Sequence, residues 1–139
     1  KMSYLVVDTM KLGWSAFYGK QAKKSRYVTG PFSILAFTPK LFLLSEIDLK
    51  IDNPKSQTTN YGLVQYARLN YEIIQGLHVY LAQDIDYFNL KKRNYIFSYS
   101  LGSQLFPLSH IEINMQWQRK KVYSQNIQNK FWLMTHFYL

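Results

Sequence analysis

The chain has 139 residues, enough for one domain with a substantial core, and carries 17 Lys and Arg against 8 Asp and Glu, a net charge of +9. Its lack of cysteine excludes disulfides and thiolate metal centres and leaves the redox compartment open, while the charge calls for an anionic neighbour such as nucleic acid, anionic lipid or lipopolysaccharide. No apolar run approaches the roughly 20 residues of a membrane helix, the longest being LFLL at 41–44, so any crossing of a membrane has to be made by strands.

Nothing at Lys1 reads as a signal peptide, which points to a processed chain or to a piece of a longer one. Tyr 12, Phe 9 and Trp 3 give an aromatic share of 17%, a bias that suits strands and interfacial belts alike. The slightly negative mean hydropathy does not discriminate, because a membrane barrel averages a polar lumen with an apolar outside.

Apolar and polar residues alternate in about eight segments, and a period of two is the mark of extended chain because successive side chains point to opposite faces. The predicted strands are 10–18, 27–38, 41–52, 60–74, 77–88, 94–106, 110–119 and 131–139. In the third, Ile47, Leu49 and Ile51 oppose Glu46, Asp48, Lys50 and Asp52. In the sixth, Tyr95, Phe97, Tyr99, Leu101 and Leu105 oppose Ser98, Ser100, Gly102 and Gln104. The seventh sets Ile111, Ile113, Met115 and Trp117 against Glu112, Asn114, Gln116 and Gln118. No helical stripe of similar length appears.

Two kinds of connection take turns. TPK (38–40), IIQG (73–76) and FPLSH (106–110) are short and contain the Pro or Gly of tight hairpins. GKQAKKSR (19–26), IDNPKSQTTN (51–60), YFNLKKRN (87–94) and RKKVYSQNIQN (119–129) are longer, polar and basic. Strict alternation puts all short turns at one end of a barrel and all long loops at the other, the build of an outer-membrane barrel, which a Greek-key sandwich would scramble. The segments also reach the roughly 9 to 11 residues of a tilted membrane-crossing strand.

The last segment, FWLMTHFYL, puts Phe131, Leu133, Thr135, Phe137 and Leu139 on one face. It resembles the closing strand of bacterial outer-membrane β-barrel proteins, whose aromatic-rich, alternating terminus is read by the barrel assembly machinery. Here Leu139 stands where that family usually has Phe or Trp, with Tyr138 before it. The resemblance covers the whole chain as an architecture and these nine residues as a motif. It implies Phe131, Leu133, Phe137 and Leu139 as an assembly signal.

The polar face gathers Glu46, Asp48, Arg68, Asn70, Glu72, His78, Asp84, Asp86, Glu112, Asn114 and Gln116. Inside a barrel of about eight strands there is room for side chains and little else, so these residues are expected to form a lumen-facing network of charge pairs and hydrogen bonds. A metal or acid-base site built from Asp84 and Asp86 with His78 or His136 is the sharper reading; pairing of the carboxylates with Arg68 or Lys50 is the plainer one and is preferred. Tyr61, Tyr71, Tyr80, Tyr87, Tyr95, Tyr99 and Trp117 fall towards strand ends, as an aromatic girdle requires. The basic loop residues Lys23, Lys24, Arg26, Lys91, Lys92, Arg93, Arg119, Lys120 and Lys121 form a single-ended rim suited to the phosphates of lipopolysaccharide.

The sequence therefore predicts one all-β domain over 1–139: an antiparallel, up-and-down transmembrane β-barrel of about eight strands, both ends on the periplasmic side, in a Gram-negative outer membrane. A structural, anchoring or partner-binding role is expected, with membrane lipid, lipopolysaccharide, the barrel assembly machinery and other envelope proteins as partners. No enzymatic activity, cofactor or metal is expected, since no phosphate loop, nucleophile elbow or zinc spacing is present, and no nucleic-acid partner, since the basic residues sit in loops rather than along one strand face. Alternatives are the C-terminal part of a larger porin-like channel or the barrel sheath of a complex. A third is a soluble lipocalin-like barrel with the parity reversed, its interior formed by Phe97, Leu101, Ile113, Met115 and Trp117.

Overall fold

A computed structural model describes residues 2–7, 9–22, 24–54, 58–92 and 94–138. They form a single antiparallel meander: β1 (Met2–Val7), β2 (Met10–Lys20), β3 (Lys24–Thr38), β4 (Leu41–Pro54), β5 (Asn60–Ile74), β6 (Leu77–Asn89), β7 (Asn94–Leu108), β8 (Ile111–Val122) and β9 (Gln128–Phe137). Each strand is hydrogen-bonded to the next in chain order. The strands from β2 onward are the eight that the alternation predicts. β1 was not predicted; it runs along β2 from Met2 opposite Trp14 to Val7 opposite Met10.

Several strands are longer than their apolar periodicity. β3 begins at Lys24 and β8 ends at Val122, because the basic residues there continue the extended chain with Lys120 opposite Gln128 and Lys121 opposite Phe97. The long-loop connections shrink accordingly, since β2 runs to Lys20 before β3 begins at Lys24 and β6 runs to Asn89 before β7 begins at Asn94.

The reversals at 39–40, 75–76 and 109–110 are tight and each sits beside a register shift. At the first, the Thr38 hydroxyl accepts hydrogen bonds from the Lys40 and Leu41 amides at 3.2 and 3.0 Å. At the second, Gly76 takes φ of 80°, a left-handed conformation that a side chain would strain. Near the third, Pro107 lies in the gap between the Leu105–Ile113 and Leu108–Ile111 pairs, where its missing N–H costs the ladder nothing.

The sheet is open: among the described residues no pairing joins β9 to β1. Nine antiparallel strands leave β1 and β9 running in the same direction, from the long-loop end towards the short-turn end. The expected placement of both chain ends on one side is thereby corrected, since β1 starts at the end opposite to the one where β9 finishes.

Burial divides the two faces. The buried side chains among the described residues are Lys50, Asn70, Tyr80, Ala82, Ser98, Ser100, Glu112 and Asn114, all on one face, and only Tyr80 and Ala82 of them count as apolar core. That face is the concave one: Ser15 on β2 reaches Asp48 on β4, Lys50 on β4 reaches Asp86 on β6, and Tyr80 on β6 reaches Asn114 on β8, each spanning an intervening strand. Gly102 belongs to this packing, because a Cβ there would sit 2.3 Å from the Tyr80 ring. The convex face is apolar and open, with Leu81, Leu101, Phe131 and Phe137 at 55, 58, 66 and 72% exposure. The chain exposes 10013 Å² in all, against roughly 7,500 Å² for a compact soluble chain of this mass.

Candidate functional site

The eleven polar residues singled out in the sequence all lie on the concave face, where β4, β5, β6 and β8 supply them. A central cluster holds Arg68, Asn70, Glu112, Asn114 and Gln116. Arg68 Nε donates to Asn70 Oδ1 at 3.0 Å, its Nη2 donates to Gln104 Oε1, and its guanidinium lies 3.7 Å from the centroid of the Tyr80 ring. The Tyr80 hydroxyl is 3.1 Å from both Asn114 Oδ1 and Gln116 Oε1. Gln104 Nε2 passes the chain on to Glu112 Oε1 at 2.8 Å, while Glu112 Oε2 accepts from the Tyr138 hydroxyl and lies 3.4 Å from His136 Nδ1. Donation to that carboxylate raises the pKa of the Tyr138 hydroxyl, just beyond β9, above the ordinary phenol value.

The other predicted polar residues stand in separate groups. Glu46 and Asp48 share the Ser15 hydroxyl at 3.0 and 3.2 Å. Glu72 accepts the Gly76 amide at 3.3 Å, and His78 packs edge-on against Phe106 at 5.9 Å. Asp84 takes the Ser98 hydroxyl at 3.0 Å, and Gln118 Nε2 donates to the same Ser98 at 3.1 Å. Asp86 is ion-paired at 2.6 Å with Lys50, whose ammonium also lies 4.9 Å from the Phe88 ring. Asp84, Asp86, His78 and His136 thus each turn to a different partner, and among the described residues no three His, Asp or Glu side chains converge as metal ligands.

The polar network read from the sequence leaves out Tyr80, Gln104, Ser98 and Gln118, although the alternation puts Ser98, Gln104 and Gln118 on its polar parity. Tyr80 was assigned to the girdle, yet it is 4% exposed and central to the concave cluster. Its parity with His78, Asp84 and Asp86 marks the concave face, although a tyrosine by residue type suits a membrane interface as well. The other aromatic assignments lie on the convex face. Tyr87, Tyr95 and Tyr123 stand in a row near the long-loop end with centroids 5.8 Å apart at each step, and Tyr99 meets Trp117 edge-on at 5.8 Å.

The basic rim needs correction. Lys23 and Arg93 lie outside the described residues. Lys24 and Arg26 belong to β3, and Arg119, Lys120 and Lys121 to β8, so among the described members only Lys91 and Lys92 occupy a connection. Their amides are tied at 2.8 and 3.2 Å to Asn89 Oδ1. Arg26 faces the concave side in a two-pronged ion pair with Asp52, at 2.6 and 2.9 Å. Arg119 and Lys121 project from the convex face and Lys120 from the other, as strand parity requires. At the long-loop end a cleft of about 700 Å³ is lined by Lys24, Asp52, Asn60, Asn89, Lys91 and Lys92.

Of the assembly-signal residues, Leu139 lies outside the described residues. Phe131, Leu133 and Phe137 stand on the convex face of β9, opposite Trp117, Met115 and Ile111. No helix among the described residues is long and apolar enough to cross a membrane, a finding that leaves crossing by strands untouched. Comparison of the chain with protein-family models, with curated proteins and with solved structures gives no match.

Proposed function

We propose that the chain forms the wall of a β-barrel in a Gram-negative outer membrane, its convex face in lipid and its concave face turned to the lumen. The observation that carries this reading is the inverted core: Lys50, Asn70, Ser98, Ser100, Glu112 and Asn114 are buried while Leu81, Leu101, Phe131 and Phe137 are exposed. In water such an arrangement forfeits the hydrophobic effect, about 25 cal/mol per Å² of apolar surface left uncovered. In a bilayer the same arrangement places apolar side chains in hydrocarbon and polar ones inside, where each of those named except Ser100 has a hydrogen-bond partner. The lipocalin alternative needs Met115, Trp117 and Leu101 inside, and they are 41, 38 and 58% exposed.

The concave hydrogen bonds fill the space between strands, which suits a structural, anchoring or partner-binding wall. A larger porin-like barrel or the sheath of a complex is the second reading, favoured by the unpaired, same-direction edges of β1 and β9. Fractionation tests the proposal. The protein is expected in the membrane pellet after urea or carbonate washing, released by detergent, and faster on gels before boiling than after. Recovery in the soluble fraction without detergent sinks it.

A further inference from the structure

We propose that the convex wall of β7, β8 and β9 seats one phosphorylated, acylated lipid of the leaflet at the long-loop end, its phosphate between Arg119 and Lys121 and an acyl chain beside Leu101, Met115, Trp117 and Phe131. The proposal rests on the outer-membrane reading, in which that lipid is the lipid A part of lipopolysaccharide, and it moves the expected contact from the loops to the wall.

Charge on the convex face is one-sided. Glu46, Asp48, Asp52, Glu72, Asp84, Asp86 and Glu112 all share the concave parity, so among the described residues no carboxylate faces outward. Among the described strand residues the outward cations are Lys20, Arg119 and Lys121, all near the long-loop end of their strands. Arg119 and Lys121 are neighbours on one face of β8, about 7 Å apart along the strand, close enough for a guanidinium fork and an ammonium to share one phosphate. Among the described residues neither lies in an ion pair.

Two adjoining grooves match the two halves of such a lipid. The first, about 270 Å³, is lined by Phe97, Tyr99, Arg119, Lys121 and Ile127, so the cations are walled by apolar and aromatic surface. The second, about 310 Å³, lies towards mid-strand on the same face, where Leu101, Met115, Trp117 and Phe131 supply most of its apolar lining. The Tyr99–Trp117 contact sits between them. A cation pair above and an apolar slot below, on one wall, is the order in which a phosphorylated lipid presents its headgroup and chains to a membrane protein.

Purified protein folded in neutral detergent is titrated with lipid A carrying two phosphates, with lipid A stripped of both, and with inorganic phosphate. The charge-removing variant R119Q/K121Q is expected to bind the phosphorylated lipid about tenfold more weakly, the size expected for loss of one or two charge-assisted hydrogen bonds. The exchanged pair R119K/K121R should recover much of the loss, and K91Q/K92Q should stay within about twofold of the parent, because those charges are solvated. With the unaltered protein, raising salt should weaken binding of the phosphorylated lipid and not of the stripped one. Any of three results overturns the proposal: parent-like binding by R119Q/K121Q, equal affinity for the two lipids, or an equal loss in K91Q/K92Q. Displacement of the lipid by equimolar inorganic phosphate would instead mark a site for the free anion. Failure of the membrane reading shows separately, as protein that stays in solution without detergent.

Discussion

Leu101 lies at the middle of β7, 58% exposed, in a cross-strand row with Leu81, Trp117 and, one strand further, Phe131. Replacing it with Arg separates the two solvents that could touch this face. In water an exposed surface substitution changes stability by no more than about 0.5 kcal/mol. At the midplane of a bilayer an Arg on a barrel's outer face costs about 2–4 kcal/mol, roughly 30- to 900-fold in the folded-to-unfolded ratio. Leu108, 64% exposed and last in β7 beside the 109–110 reversal, is the control, since the cost falls to about 0–1 kcal/mol near the interface. The assay is urea-titrated folding into phosphatidylcholine bilayers, scored by the difference in gel mobility with and without boiling. Leu101→Arg is expected to lower the midpoint clearly and Leu108→Arg to leave it nearly in place. An unchanged midpoint for Leu101→Arg, or equal losses for both, refutes the assignment of the convex face to lipid.

Three further outcomes follow from the concave face and the sheet edges. Lys50→Met strands the Asp86 carboxylate, and Lys50→Met with Asp86→Asn should regain part of the lost stability; a urea-unfolding double-mutant cycle reads the difference, expected at about 1–3 kcal/mol. Gly102→Ala should cost about 1–3 kcal/mol because the added Cβ meets the Tyr80 ring, and the penalty should vanish in a Tyr80→Ala background, measured by the same titration. Since β1 already occupies the outer edge of β2, cysteines placed at Trp14 and at Phe131 or Leu133 should give no intramolecular disulfide under mild oxidation; a high yield on non-reducing gels would show β9 closing onto β2 instead.

The strand plan was legible where parity was clean. In β8, Ile113, Met115 and Trp117 against Glu112, Asn114 and Gln116 fixed both the strand and its faces, because a one-residue slip would put every side chain on the wrong side. It was less legible in β3 and β4, where Phe32, Ile34, Phe42 and Leu44 share the concave parity with Glu46 and Asp48, so apolar residues occupy both faces near the short turns. β1 escaped because Met2–Val7 is short and its apolar run LVV does not alternate. Lys24–Arg26 and Arg119–Lys121 read as loop by charge alone, whereas a strand end near water tolerates cations on either face. The partners of the concave face were out of reach, since Tyr80 with Asn114 and Arg68 with Gln104 depend on curvature that brings alternate strands together, and curvature leaves no mark on a period of two.

Strand direction also bears on what the proposed barrel would enclose. Every backbone group in hydrocarbon has to be paired, so the outer edges of β1 and β9 cannot both remain bare in a membrane. Paired with each other they would be parallel, because an odd number of antiparallel strands separates like from like. Antiparallel closure therefore takes one of two forms: β1 leaves β2 and the eight strands β2–β9 close on themselves, or an odd number of further strands joins β9 to β1. The first gives an interior just wide enough for side chains, in which Arg68, Tyr80, Glu112 and Asn114 would be met by the far wall. The second widens the barrel, lowers its curvature and leaves the same residues lining water. The β1–β2 ladder, from Met2 opposite Trp14 to Val7 opposite Met10, has to be broken for the first and is kept in the second. That difference favours the wider wall, and it makes the absence of a β2–β9 crosslink the outcome with the most to say about whether the concave face bounds a packed core or a passage.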